Sequence, residues 1–159
     1  MLYYGERVKL CKFIKKMYDR KFTNAAGGNV SIKVSDDHFI MSPTLMSQNY
    51  LCDLNPEQIL VIDKEKNIID GYGGITREIN MHMAAYEENA KINCVIHAHA
   101  LNSMVFASMG LDMPNISEGT QKMGEIKCLE FAPATTPELA EKVRKEVRQD
   151  QAIPKSYLL

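Results

Sequence analysis

The sequence lacks both a membrane-spanning run and an excess of charge. No stretch approaches the roughly 18 consecutive apolar residues of a membrane span. Residues 1–13 carry charges where a secretory signal has its apolar segment. With 19 Lys and Arg against 20 Asp and Glu, the net charge is -1, so the protein has no field that would gather nucleic acid or anionic lipid. These absences favour a cytoplasmic protein that acts on a small molecule and not on nucleic acid or a membrane.

Closely spaced cysteines are also absent. The four cysteines, Cys11, Cys52, Cys94 and Cys128, are scattered and form no CxxC pair, which argues against a structural zinc site and a disulfide framework. We interpret them as small buried hydrophobic residues. There is no linker, internal repeat or low-complexity segment, and a chain of 159 residues fits a single domain.

Periodic patterns predict alternating hairpins and helices. Apolar residues at helical spacing predict helices over 3–20, 77–90, 102–109 and from 136 onward. Alternating or short apolar runs predict strands at 30–34, 38–41, 59–62, 68–69, 93–99 and 126–131. We expect an α/β layered domain with a largely antiparallel sheet. Residues 153–159 begin as a buried strand and stop there, so we expect the chain to be truncated relative to a longer parent.

His97 and His99 are the first candidate functional pair. On a strand, side chains two residues apart project from the same face, so their imidazoles would lie side by side and could share one metal ion. The small Ala98 between them fits an inward-packed strand. Two surface histidines that happen to alternate would give the same pattern, and the His-x-His motif alone does not separate these interpretations.

Glu78 is placed in the first turn of a predicted helix, with His82 one turn later on the same face. Glu78 could be a further metal ligand or a general acid/base, or simply a charge that stabilises the helix N-terminus. We interpret His82 as a packed residue or one that supports the ligands, and not as a ligand itself. His38 belongs to a hairpin remote from the motif and is not assigned a function.

Two segments carry weaker signals for an anion site. In Gly27-Gly28-Asn29 the glycines allow backbone N–H groups to approach an anion, although a plain turn explains them equally simply. Thr76 and Arg77 strengthen the signal, because a hydroxyl and a guanidinium at a helix N-terminus suit phosphate. Neither segment is a Walker or Rossmann motif.

Several motifs occur together in the order and spacing of one family. They are Gly28-Asn29-Val30-Ser31, Pro56-Glu57-Gln58-Ile59, Glu78 with His82 four residues on, and Val95-Ile96-His97-Ala98-His99-Ala100. The combination of His-x-His with an upstream Glu-xxx-His is far more specific than either part. By these motifs the sequence resembles the class II aldolase/adducin family over essentially its whole length.

The resemblance implies a fold, an assembly and a site. It implies a layered α/β/α domain with a central, largely antiparallel sheet, usually assembled as a homotetramer with active sites between subunits. His97 and His99 would bind Zn²⁺ or another divalent cation, and Glu78 would be both a metal ligand and the catalytic acid/base. The residues that would hold the phosphate of the sugar substrate are Gly28, Asn29, Thr44, Thr76 and Arg77.

The implied function is that of a metal-dependent aldehyde-lyase that cleaves a phosphorylated ketose. Zinc would stabilise the enediolate formed as the carbon–carbon bond breaks, and Glu78 would shuttle the proton. Alternatives within the family are a sugar-phosphate epimerase or dehydratase. A non-catalytic, adducin-like interaction module is an alternative of another class.

The chain departs from the family pattern at several positions. The phosphate turn lacks its usual glycine and reads Ser42-Pro43-Thr44-Leu45, and Thr76-Arg77 replaces a pair of serines. Glu118 stands where the fuculose-phosphate enzymes often have tyrosine. A third histidine usually follows the strand that Tyr157 would begin, beyond the last residue of this sequence. We therefore expect residues 1–159 alone to bind metal weakly and to have little or no activity.

Overall fold

The computed structural model describes residues 1–149. The helices are α1 (Tyr4–Asp19), α2 (Met46–Tyr50), α3 (Ile79–Glu88), α4 (Leu101–Ser108), α5 (Glu118–Met123) and α6 (Pro137–Gln149). The strands are β1 (Asn29–Lys33), β2 (Phe39–Met41), β3 (Leu60–Ile62), β4 (Ile68–Asp70) and β5 (Cys94–His97). Among the described residues, no helix is long and apolar enough to cross a membrane.

The five strands form one sheet in the order β4-β3-β2-β1-β5, and every pairing is antiparallel. The β1–β2 and β3–β4 pairs are the predicted hairpins. The pairing that matters for function joins distant parts of the chain, because β1 and β5 align Asn29 with His97 and Ser31 with Val95. Residues on β1 are thereby placed directly beside the His-x-His motif.

Helices cover both faces of the sheet, as the layered α/β/α prediction requires. On one face, Leu10 and Ile14 of α1 pack with Ile40 and Val61. On the other, Met83 and Tyr86 of α3 join a cluster that contains Phe39, Met41, Leu60 and Ile62. The strands supply both clusters because successive side chains point to opposite faces. α6 completes this second layer by packing Val143 and Val147 against Ala85 of α3.

The structure corrects several predicted boundaries. The predicted strand 126–131 is absent, and only an isolated bridge between Met113 and Ile126 forms there. A strand needs a neighbour to bond its backbone, and Phe131, 85% exposed, has no apolar packing to hold it in one. The strand predicted at 93–99 ends at His97, so His99 lies beyond it. The predicted strand at 153–159 lies outside the described residues.

The helix predicted from residue 77 begins at Ile79, and Glu78 occupies the preceding cap position. Just before the helix, the hydroxyl of Thr76 accepts the N–H of Glu78 at 3.3 Å. The predicted cap of α6 is present, because Thr136 Oγ1 accepts the N–H of Leu139 at 3.3 Å. Gly110 follows the end of α4 with φ +65°, a left-handed conformation that glycine adopts readily.

Candidate active site

His97 and His99 lie side by side where β5 ends. Their ring centroids are 5.1 Å apart and the ring planes meet at 55°. Burial, and secondarily the nearby His99, lower the pKa of His97 to about 4. His97 is therefore neutral at pH 7, which is the form that binds a metal ion.

The Gly27-Gly28 loop lies directly against this pair. A Cβ built on Gly27 would come within 2.5 Å of His99 Cε1, so any larger residue would have to displace the ring. Two hydroxyls fix the loop, since Thr23 Oγ1 and Ser47 Oγ each donate to the carbonyl oxygen of Gly27 at 2.9 Å. The loop thus holds a fixed space for the His99 imidazole.

Asn29 lies between two histidines and is only 6% exposed. Its Nδ2 is 3.3 Å from His97 Nδ1, and its Oδ1 is 2.5 Å from His82 Nε2. Strand register explains the first contact, because Asn29 and His97 are paired residues of β1 and β5. Sequence analysis assigned Asn29 to the phosphate; in this structure its amide is engaged with the two imidazoles.

Behind Asn29 the polar contacts continue into the core. His82 is fully buried on α3, and its Nδ1 is 2.7 Å from Ser31 Oγ. Ser31 Oγ is in turn 2.7 Å from the hydroxyl of Tyr86, one helical turn beyond His82. Burial, and secondarily His97, lower the pKa of His82 to about 3, while burial raises the pKa of Tyr86. Both groups are neutral at pH 7.

Glu78 immediately precedes α3 and is 8% exposed. Its Oε1 accepts the backbone N–H of Thr135 at 3.1 Å, a contact between the loop before α6 and the start of α3.

Within residues 1–149, no three His, Cys, Asp or Glu side chains form a group that could hold a metal ion. The donor chemistry of the His97–His99 pair nevertheless fits a divalent cation, because two adjacent imidazoles make up half of a tetrahedral zinc shell.

The residues predicted to bind phosphate fall into two groups. Gly28 and Asn29 lie beside His97. Thr44 donates its backbone N–H to Gly74 O at 2.8 Å, which brings its turn against the segment that leads to Thr76. Thr76 is buried, whereas the Arg77 side chain is exposed and free to meet a ligand.

The contributions of Ser31, Tyr86 and Thr135 were not predicted from the sequence. Two local signals were available for the first two. Asn29 and Ser31 alternate on a strand, which places them on one face, and His82 and Tyr86 are one helical turn apart. Nothing local in the sequence indicates that the Thr135 N–H meets Glu78, since the two are 57 residues apart.

The chain matches one protein family and several known proteins. The family described as Class II Aldolase and Adducin N-terminal domain matches residues 8–156. The L-fuculose phosphate aldolase of Methanococcus maripaludis strain S2 is 32% identical over 96% of this chain and 79% of the relative. The 5-deoxy-D-ribulose 1-phosphate aldolase of Bacillus thuringiensis serovar kurstaki is 25% identical over 89% of this chain and 66% of the relative.

The fold of the chain also resembles that of solved structures. A solved structure of L-fuculose 1-phosphate aldolase superposes with a TM-score of 0.79 at 24% identity, over 90% of this chain and 66% of that one. The chain therefore belongs to the class II aldolase and adducin N-terminal domain family.

Proposed function

We propose that this protein is a metal-dependent aldehyde-lyase of the class II aldolase type that cleaves a phosphorylated ketose. The observation that carries the proposal is the adjacency of the His97 and His99 rings, 5.1 Å apart, in a chain of this family. The substrate class is supported by the relatives whose names specify sugar phosphates, L-fuculose phosphate and 5-deoxy-D-ribulose 1-phosphate.

In this proposal His97 and His99 hold Zn²⁺ or another divalent cation. The remaining positions of the shell are filled by Glu78, water or a neighbouring subunit, since two imidazoles do not complete it. When bound, the cation acts as a Lewis acid and stabilises the negative charge that develops on the substrate as the carbon–carbon bond breaks.

Glu78 is the proposed proton carrier. Cleavage removes a proton from the hydroxyl that becomes the aldehyde, and the carbon released from the broken bond takes up a proton. The reaction needs no oxidant or reductant, so a single carboxylate near the reacting carbon can accept the proton and return it. Its contact with the Thr135 N–H holds the Glu78 side chain in a defined position.

The phosphate is assigned to Gly28 beside His97 and to the loops around Thr44 and Arg77. Arg77 offers a charged, bidentate donor from an exposed position. Gly28 lies close to His97, and the Thr44 turn lies against the segment before Thr76. These contacts would anchor the end of the substrate that does not react.

The experiment is product analysis of the complete gene product, supplied with Zn²⁺, on a panel of ketose 1-phosphates. An aldolase releases an aldehyde and a triose phosphate in equal amounts. Inversion at one carbon with the chain intact would identify an epimerase instead, and loss of water would identify a dehydratase. No turnover of any substrate, with undiminished folding, would support a non-catalytic module and contradict the proposal.

A further inference from the structure

The polar contacts behind His97 form one continuous chain. It runs from His97 Nδ1 to the Asn29 amide at 3.3 Å, from Asn29 Oδ1 to His82 Nε2 at 2.5 Å, and from His82 Nδ1 to Ser31 Oγ at 2.7 Å. It ends at the Tyr86 hydroxyl, 2.7 Å from Ser31 Oγ. Asn29, Ser31, His82 and Tyr86 are all buried, so water does not compete for these bonds.

The chemistry of each group fixes the direction of this chain. An amide nitrogen only donates and an amide oxygen only accepts. Asn29 therefore donates to His97 Nδ1 and accepts from His82 Nε2–H. A neutral imidazole carries one proton, so the proton of His97 is on Nε2 and His82 Nδ1 is an acceptor. Ser31 then donates to His82, and Tyr86 donates to Ser31.

With the hydrogen bonds in this direction, His97 Nε2 carries a proton and cannot bind a cation. Nδ1 is the nitrogen that faces Asn29, which makes Nε2 the one available for a ligand. To coordinate, Nε2 must lose its proton and Nδ1 must carry it. A half-turn of the Asn29 amide would then present Oδ1 to His97 and Nδ2 to His82, and the proton of His82 would move to Nδ1, facing Ser31.

We infer that Asn29 and His82 are positioning residues that couple the tautomer of His97 to that of His82, so that ligand binding at His97 Nε2 reverses the whole chain as far as Ser31. The reversal upon metal binding rests on the proposed function, whereas the coupling itself does not. Partners of this kind orient a metal-binding histidine and set which of its nitrogens is free.

Long-range ¹H–¹⁵N spectra of the ¹⁵N-labelled protein test the inference, because they distinguish protonated from unprotonated ring nitrogens. The chain has four histidines, so assignment is tractable. Without metal at pH 7, His82 and His97 should both carry their proton on Nε2. With Zn²⁺ bound, both should carry it on Nδ1. A zinc-induced change at His97 that leaves His82 unchanged would overturn the coupling, as would Nδ1–H on His97 in the metal-free protein.

The variant Asn29→Asp sharpens the test. A carboxylate accepts from both rings, so His97 should change to Nδ1–H without any metal while His82 keeps Nε2–H. Ser42→Ala is the matched control, because it removes another buried hydroxyl, which lies just beyond β2 and accepts the Val30 N–H at 3.0 Å. It should leave both tautomers as in the wild type. Wild-type tautomers in Asn29→Asp would also overturn the inference.

The outcomes separate the two proposals. If Zn²⁺ produces no change at His97, the reversal and the proposed metal site both fail. The metal-free spectra and Asn29→Asp still decide the coupling in that case. If zinc binds and the ketose phosphates are not cleaved, the proposed function fails while the coupling stands.

Discussion

Two parts of the proposed site differ in kind, the buried side of His97 (the inner side) and the proposed phosphate residues (the outer side). The inner side consists of Asn29, Ser31, His82 and Tyr86, all buried and joined by side-chain hydrogen bonds. The outer side consists of the loops around Thr44 and Arg77, in which the Thr44 N–H donates to Gly74 O and the Arg77 guanidinium is exposed. The inner side is satisfied without a ligand, so its role is to position the histidine. On the outer side the exposed guanidinium of Arg77 can donate to a ligand, as the proposed phosphate contact requires.

Glu78→Gln should have the largest effect, because it removes the proposed proton carrier. Glutamine keeps an oxygen that can accept the Thr135 N–H, so the loop contact should survive. We expect kcat to fall by about 10²- to 10⁴-fold, the usual contribution of general acid–base catalysis. The measurement is the rate of triose phosphate release at saturating substrate, with unfolding in urea as the check on stability. A variant with wild-type kcat would exclude Glu78 as the proton carrier.

The buried His82 of the inner side should make the free energy of unfolding depend on pH. His82 has a pKa of about 3 in the folded protein against an ordinary value of 6.5, so the unfolded chain binds more protons between these values. The contribution of His82 to the free energy of unfolding is complete above pH 6.5 and falls as the pH decreases toward 3. At pH 5 the loss from His82 alone is about 2 kcal/mol.

Urea unfolding of the wild type and His82→Gln at pH 7.5 and pH 5 measures this contribution. The variant should lose less stability between the two pH values by about 2 kcal/mol, whatever its absolute stability. An equal pH dependence in both proteins would show that His82 is not held neutral in the folded state.

Gly27→Ala tests the contact between the loop and the histidine pair. The added Cβ would lie 2.5 Å from His99 Cε1, so the ring or the loop must move. We expect a loss of about 1–3 kcal/mol in the free energy of unfolding, typical of overpacking. Gly5→Ala is the control, because no atom lies within 4 Å of its added Cβ. If both variants were equally stable, the His99 ring would not be packed against Gly27 as described.

Arg77→Gln on the outer side should have the smallest effect. An exposed charge contributes about 0.2–1 kcal/mol to an ionic contact. KM for the ketose phosphate should therefore rise by up to about five-fold, while kcat and zinc affinity stay unchanged. Steady-state kinetics at low and high salt provide the measurement. An unchanged KM at low salt would remove Arg77 from the phosphate site.

Local patterns predicted much of the fold for identifiable reasons. The hairpins at β1–β2 and β3–β4 are local in sequence, and the cap at Thr136-Pro137 marks the start of α6. The strand predicted at 126–131 fails because an apolar run requires a partner that periodicity does not supply. The layered arrangement followed from the mixture of hairpins and helices.

In the candidate site, too, local sequence patterns predict some contacts and not others. The spacing of His97 and His99 is local, so the sequence predicts that their rings are neighbours. The position of Asn29 depends on the β1–β5 register, which joins residues 68 apart. No local pattern fixes that register, so sequence analysis placed Asn29 with the phosphate and did not foresee its contacts with two imidazoles.

Zinc binding to His97→Ala and His99→Ala, compared with the wild type and with His38→Ala, tests the proposed function most directly. His38 is a suitable control because it contacts Tyr3 and not the site, with its Nδ1 2.9 Å from the tyrosine hydroxyl. In a competition titration of the complete gene product with a chromophoric chelator, wild type and His38→Ala should bind Zn²⁺ equally, and the other two variants should bind it much more weakly. Equal affinity in all four proteins would contradict a metal site at His97 and His99.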